Sequence, residues 1–186
     1  MSDLRYPIGK FTWVAPGSEQ QSAKDRVLYI DTIAKLPANL RAAVEDLKPA
    51  QLDTPYRPEG WTVRQVVHHV PESHMNAYIR FKLAITEDQP QAKPYNEAAW
   101  AKLPDNHVTP IETSLQLVTA LHSRWVDTLR CMQSSDFGRT LSHPEHGVLT
   151  LDRMLAMYAW HCDHHVAHIT SLRERMGWNR LAAAQQ

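Results

Sequence analysis

The fold is decided by residues 150–177, TLDRMLAMYAWHCDHHVAHITSLRERMG. Apolar side chains recur there every three or four residues, which predicts one long amphipathic helix. Thr150 is a suitable N-cap and Gly177 a suitable C′ residue, so the helix is expected from Leu151 to about Met176. Its apolar stripe consists of Leu151, Met154, Leu155, Tyr158, Ile169, Leu172 and Met176.

This helix carries two histidine pairs at i, i+4 spacing, His161 with His165 and His164 with His168. Such a pair turns both imidazoles to one side of a helix, where they can bind one metal ion. A projection at about 100° per residue places His165 inside the apolar stripe and His161 at its edge. We therefore expect His161 and His165 to face the interior and His164 to face outward. Cys162 projects into the core and is interpreted as a buried thiol.

Three further long helices are predicted by the same periodicity. The first covers Ser18 to about Lys48 and is expected to be interrupted at Pro37; the second runs from Thr62 to about Thr86 with a kink at Pro71. The third covers Pro110 to about Ser134. Residues 1–17 are expected to form an irregular arm, 87–109 a long loop, and 139–150 a short hairpin. The prediction is an all-α four-helix bundle in a single domain, 1–186, with a short β-hairpin before the last helix and a frayed tail at 179–186.

A second group of histidines lies on the second predicted helix, at His68, His69 and His74. Since the metal needs a third ligand, this group is the obvious source. Projection places His68 on the outer face, His69 near one edge of the stripe and His74 inside it. The expected kink at Pro71 makes angles across it unreliable, so periodicity cannot choose between His69 and His74.

The composition excludes several classes of protein. Twenty basic and 20 acidic residues give a formal net charge of zero, which argues against electrostatic binding of nucleic acid. No apolar run approaches the length needed to cross a membrane, and no secretory signal is recognisable, so no membrane partner is expected. Cys131 and Cys162 are too few for a disulfide framework. We expect two reduced thiols and a cytoplasmic protein.

Several long motifs resemble one known family, the YfiT-like branch of the DinB-like superfamily, which includes bacillithiol transferases. The resemblance covers essentially residues 5–178. Its motifs are Tyr6–Gly9, Leu52–Arg57, Gly60–His69, Ser73–Leu83, Lys93–Tyr95, Trp100, His122–Trp125, Trp160–Ile169 and Arg175–Trp178.

The resemblance implies a homodimer of four-helix bundles, each with one divalent metal ion held by three histidines from two helices. Carried over by motif, these ligands are His69, His161 and His165. The family thus selects His69 over His74. It implies zinc as the metal, with nickel as the alternative. Members are usually named as proposed metal-dependent hydrolases, and some relatives are thiol S-transferases that use bacillithiol, mycothiol or glutathione.

Three histidines leave at least one open position on the ion, which is typical of catalytic rather than structural zinc. We expect a hydrolase that activates water there; the alternative is an S-transferase that binds a low-molecular-weight thiol as thiolate. A second alternative is a non-catalytic metal-binding stress-response protein, closed by a fourth ligand such as His168 or Cys162. The small-molecule substrate is expected to contact His74, Asn76, Arg80 and His168. The arm and the 87–109 loop are expected to form the dimer interface.

Overall fold

The computed structural model describes residues 3–178 of the 186-residue chain. Four long helices form the bundle: α1 (Glu19–Val44), α3 (Val63–Thr86), α6 (Ile111–Cys131) and α7 (Leu151–Arg175). Each of α1 and α3 packs against both α6 and α7. The predicted bundle is confirmed, and its arrangement brings the histidines of α3 and α7 toward a shared interior.

Three of the long helices begin at side-chain caps, which are Ser18, Thr62 and Thr150. The Ser18 hydroxyl accepts from the Gln21 amide, and the Thr150 hydroxyl accepts from the Arg153 amide. Thr62 forms a capping box with Gln65 at the start of α3. These contacts fix the residues at which α3 and α7 begin, and packing against α6 and α1 sets which way their histidines face.

Proline does not interrupt the first helix, so the expected break at Pro37 is wrong. α1 runs through this residue without a second start. Pro37 has no amide hydrogen to offer the carbonyl of Ile33 one turn earlier. That carbonyl instead accepts from Nδ1 of His122 on α6, at 2.7 Å. A tertiary hydrogen bond thus replaces the missing helical one. α3 likewise continues through Pro71.

Shorter elements join these helices. α2 (Pro49–Leu52) precedes α3, and a 3₁₀ turn (Ser134–Gly138) follows α6. The 87–109 segment, expected as a loop, contains two single-turn helices, α4 (Glu97–Trp100) and α5 (Asp105–Val108).

The predicted hairpin is present, with β1 (Thr140–His143) antiparallel to β2 (Gly147–Thr150). Gly147 adopts a positive φ of 68°, which suits glycine at the turn. The Ala92 amide donates to the Ser142 carbonyl at 2.8 Å. Through this bond the hairpin holds the segment before α4 beside the bundle.

The arm, described from residue 3, is irregular and packs on α7. Trp160 Nε1 donates to the Gly9 carbonyl at 3.2 Å, and Tyr6 lies 5.9 Å from the ring of His164. The arm therefore covers part of the histidine-bearing helix. The tail expected at 179–186 lies outside the described residues. Within residues 3–178, no helix has the length and apolar character needed to span a membrane.

Candidate metal centre

Three histidines converge between α3 and α7. The structure brings one ring nitrogen each of His69, His161 and His165 within 4.8 Å of one another. His69 and His165 are buried, and His161 is partly exposed. The cluster therefore offers three imidazoles from two helices at a place that a small ion can reach.

The spacing within this cluster suits a bound cation. Nε2 of His161 and Nε2 of His165 are 3.1 Å apart. With zinc–nitrogen bonds of 2.0–2.1 Å and tetrahedral angles, two ligating nitrogens would lie about 3.3 Å apart. When both nitrogens are unprotonated, their lone pairs can converge on one cation at the observed distance. The donor set thus fits a divalent ion such as zinc or nickel.

The surroundings keep these imidazoles neutral. Burial lowers the pKa of His69 to about 4, with a further contribution from His168. Burial also lowers the pKa of His161 and of His165 well below the usual value, and neighbouring histidines lower it further. A neutral imidazole has a free lone pair and can bind a metal without first losing a proton.

A second layer of histidines lies behind His161. His74 Nε2 is 2.9 Å from His161 Nδ1, and His74 Nδ1 is 2.8 Å from His122 Nε2. His74 is completely buried, with the edges of Trp125 and Tyr158 against its ring. In this structure His74 contacts other histidines and reaches neither of the cavities described below.

His168 stands in the same relation to His165. Its Nδ1 is 3.4 Å from His165 Nδ1, its Nε2 is 3.1 Å from the Arg5 carbonyl, and its ring stacks on Tyr56. Both nitrogens are therefore engaged. Cys162 is a buried free thiol, and burial raises its pKa well above the usual value.

The outward positions expected for His68 and His164 are wrong, because both side chains are buried. His68 Nδ1 lies 2.8 Å from the Ser114 hydroxyl of α6. His164 is covered by Tyr6 of the arm and stacks on Trp160, with ring centroids 4.2 Å apart. Projection of an isolated helix cannot show which later elements cover its outer face.

Two adjoining cavities meet at His161. One, of about 410 Å³, lies over the three histidines and is bordered by Arg57, Trp61 and His168. The other, of about 290 Å³, extends toward the hairpin and is lined by Arg80, Tyr95, His143 and His146. A ligand in either cavity would lie beside the cluster.

The four residues expected to contact substrate are placed differently from one another. Arg80 lines the smaller cavity, and its guanidinium also donates to the Lys93 carbonyl at 3.1 Å. His168 borders the larger cavity. Asn76 donates its amide to the Glu72 carbonyl and lines neither cavity. Arg80 is thus the best placed of the four to bind a substrate.

Glu97 was missed by the sequence analysis. It borders both cavities, as His161 does. Part of its side chain reaches solvent, but burial of the carboxyl group raises its pKa, and the charge of Glu145 raises it further. A carboxyl group with a raised pKa holds its proton more readily, which suits a proton-transfer role. No sequence pattern singles out Glu97 within the proline-rich 87–109 segment.

Comparisons with known proteins agree with this architecture. A model of the DinB superfamily matches residues 32–169. A Bacillus mycoides (strain KBAB4) protein, whose name proposes a metal-dependent hydrolase, is 53% identical over 178 residues, covering 96% of this chain and 100% of that protein. A similarly named Bacillus cereus (strain 03BB102) protein is 52% identical over the same coverage.

Among solved structures, YfiT from Bacillus subtilis resembles this chain with a TM-score of 0.88 and 46% identity. The match covers 95% of this chain and 99% of that one. YfiT is described as a proposed metal-dependent hydrolase with an unusual four-helix bundle topology.

Proposed function

The chain belongs to the DinB superfamily, and we propose that it is a metal-dependent hydrolase whose divalent ion is held by His69, His161 and His165. The observation that carries this proposal is the convergence of three neutral imidazoles beside two open cavities. Zinc is the proposed metal, with nickel as the alternative. When bound, the ion supplies a Lewis acid and generates a nucleophile from water or a thiol at neutral pH.

The protein side chains supply the remaining functions. Glu97 borders both cavities that His161 lines, and its raised pKa suits a group that takes a proton from the attacking water and returns it to the leaving group. Arg80 can hold an anionic group of the substrate in the smaller cavity. We therefore propose a small polar substrate with a negative charge at one end.

A second candidate function, thiol S-transfer, is favoured by the presence of two cavities rather than one. A thiol cosubstrate and an electrophile could each occupy one cavity and meet at His161. In contrast, the geometry offers little support for a closed, non-catalytic site. His168 has both nitrogens engaged, and the cluster within residues 3–178 has three members.

The experiment that separates the two enzymatic functions uses zinc-loaded protein. It is incubated with a panel of esters and amides, and separately with an alkyl halide plus cysteine, glutathione or bacillithiol. Ester or amide cleavage without a thiol supports the hydrolase. Thiol-dependent adduct formation without cleavage supports the transferase. If protein with stoichiometric zinc catalysed neither reaction, both enzymatic proposals would be contradicted.

We also propose a cytoplasmic homodimer, with both cysteines reduced. The arm and the 87–109 segment expose apolar side chains that a partner subunit could cover: Ile8, Val14, Trp100, Leu103 and Val108. Light scattering should give twice the 21.3 kDa chain mass. A monomeric mass would contradict this part of the proposal.

A further inference from the structure

Two backbone carbonyls mark the far ends of the histidine contacts behind the cluster. One is the carbonyl of Ile33, which Pro37 leaves without its helical donor. The other is the carbonyl of Arg5, in the irregular arm. A carbonyl oxygen can only accept a hydrogen bond, so each histidine nitrogen facing one must carry a proton. This fixes the direction of every hydrogen bond that follows.

The first chain of contacts starts at Ile33 and ends at His161. Nδ1 of His122 donates to the Ile33 carbonyl at 2.7 Å, so Nε2 of a neutral His122 is an acceptor. His74 must then donate from Nδ1 at 2.8 Å, which leaves its Nε2 as the acceptor for Nδ1–H of His161 at 2.9 Å. Each neutral ring carries one proton, and in this chain that proton lies on Nδ1 of His122, His74 and His161. Nε2 of His161 is therefore left unprotonated.

The neutrality of the first ring in this chain has independent support. His122 is almost fully buried between α1, α3 and α6, and burial lowers its pKa to about 4. Its contacts are with His74, the Ile33 carbonyl and the edge of Trp125. None of these partners is an acid that would stabilise an imidazolium.

The second chain is shorter and ends at His165. Nε2 of His168 donates to the Arg5 carbonyl at 3.1 Å, which leaves Nδ1 of His168 as the acceptor. The proton between the two rings then belongs to Nδ1 of His165, 3.4 Å away. His165 is therefore also left with an unprotonated Nε2, and the two free nitrogens are the pair that lies 3.1 Å apart.

We propose that the carbonyls of Ile33 and Arg5, acting through intermediate histidines, fix the tautomers of His161 and His165 so that both present an unprotonated Nε2 to the metal. His74, His122 and His168 are positioning residues in this scheme. The inference deepens the proposed function and rests on its metal site. Ligands held in one tautomer and one orientation bind metal more tightly, and loss of such support typically lowers affinity about 10- to 100-fold.

The direct test is to read the tautomers by NMR of imidazole nitrogens in ¹⁵N-histidine-labelled protein, metal-free and zinc-loaded. We expect the proton on Nδ1 of His122 and His74 in both samples. In the zinc-loaded sample we also expect Nδ1–H and a zinc-bound Nε2 for His161 and His165. A proton on Nε2 of His74, or zinc bound through Nδ1 of His161, would overturn the proposal.

A matched pair of variants tests whether His122 acts through the chain. His122→Gln keeps one donor and one acceptor in a side chain of similar reach, whereas His122→Leu keeps neither. We expect His122→Leu to weaken zinc binding about 10-fold or more and His122→Gln to restore most of the loss. Zinc affinity is measured by competition with a chromophoric chelator.

The control for this pair is Leu129→Ala, which removes a buried side chain from the same helix α6 outside the chain of contacts. It should lower the melting temperature but leave zinc affinity unchanged. Equal loss of affinity in His122→Gln, His122→Leu and Leu129→Ala would reduce His122 to a structural role. If His122→Leu does not fold, the labelled wild-type spectrum still decides the question.

Failure of this inference can be told apart from failure of the proposed function. If the protein binds no zinc, the metal site itself fails, while the tautomers of His74 and His122 remain readable in the metal-free protein. If zinc binds at full stoichiometry but these tautomers are reversed, the metal site stands and the hydrogen-bond order is overturned.

Discussion

Two regions of this molecule gather histidines at metal-binding distance, and they differ in what surrounds them. The α3–α7 cluster is defined by His69, His161 and His165. Further histidines hold the rings of His161 and His165, and the ring of Trp61 lies against buried His69. At the hairpin cluster, formed by His143, Glu145 and His146, the ligand atoms also lie within 4.8 Å. There, however, Glu145 and His146 are exposed.

The contacts of the hairpin cluster are local. The rings of His143 and His146 stack with centroids 4.7 Å apart, and Nδ1 of His143 accepts from the Glu145 amide. A metal there would have to displace water and order exposed side chains, which costs conformational entropy. The two clusters share the proximity of their ligand atoms, so the proposal that metal binds at the α3–α7 cluster depends on what surrounds those atoms. Burial and fixed hydrogen bonds prepare the ligands before the ion arrives.

The largest expected effect separates the two clusters directly. His161→Ala removes a ligand from the α3–α7 cluster and should abolish stoichiometric zinc, together with the rise in melting temperature that a bound ligand produces. His143→Ala should leave both unchanged. Metal content by mass spectrometry and thermal unfolding with and without zinc measure the outcome. Full zinc in His161→Ala would refute the ligand assignment.

The next effect compares two acids that line the same cavity, Glu97 and Glu145. Glu97→Gln removes the proposed proton-transfer group and should lower kcat about 10²- to 10⁴-fold without loss of zinc. Glu145→Gln is the comparison variant: it removes only a charge that raises the Glu97 pKa, so it should lower kcat far less than Glu97→Gln. A larger loss of kcat in Glu145→Gln than in Glu97→Gln would exclude Glu97 as the proton-transfer group.

Acid sensitivity should also distinguish a deeply buried histidine from one at the hairpin. The folded-state pKa of His122 is about 4, against about 6.5 when unfolded. The unfolded state therefore binds more protons in this window, and stability is lost as the pH falls from about 6.5 to about 4. His122 alone accounts for about 3 kcal/mol of that loss at most. Denaturant unfolding of metal-free protein at several pH values measures it.

His122→Gln should flatten this pH dependence. The control is His143→Gln, because burial lowers the pKa of His143 too, but at the rim of an open cavity. We expect the flattening to be smaller in that variant. An unchanged slope in His122→Gln would mean that His122 is not neutral in the folded state.

The smallest effect concerns substrate binding by Arg80. Removing its guanidinium in Arg80→Ala should raise KM about tenfold for an anionic substrate, since a charge-assisted hydrogen bond is lost, and should change kcat less. Lys82→Ala removes the same charge two residues away, on the exposed side of α3, and serves as control. Steady-state kinetics measure KM for both variants. The same KM in Arg80→Ala as in Lys82→Ala would exclude Arg80 from the substrate site.

Much of the fold could be predicted from the sequence because it depends on local patterns. The caps at Ser18, Thr62 and Thr150, the hairpin turn at Gly147 and the apolar stripes all act within a few residues. The convergence of His161 and His165 was accessible for the same reason, since i, i+4 spacing on one helix places both rings on one side. Their role as metal ligands stays a prediction.

Other features depend on contacts between distant parts of the chain. Periodicity could not choose between His69 and His74, and it placed His68 and His164 at the surface. His68 is buried because Ser114 of α6 lies against it, and His164 because the arm covers it. Neither neighbour is visible in the periodicity of a single helix.

The sequence by itself determined the four helices, the spacing of the histidines and their number, 11, which exceeds that of Trp, Tyr or Phe taken singly. Only the tertiary structure decided which of these rings meet and which nitrogen of each carries a proton. The reason is physical: periodicity fixes directions within one helix, whereas a hydrogen-bond chain needs a fixed acceptor at its end. Here that acceptor is a carbonyl freed by Pro37 on α1 and reached by His122 from α6, 89 residues from Ile33 along the chain.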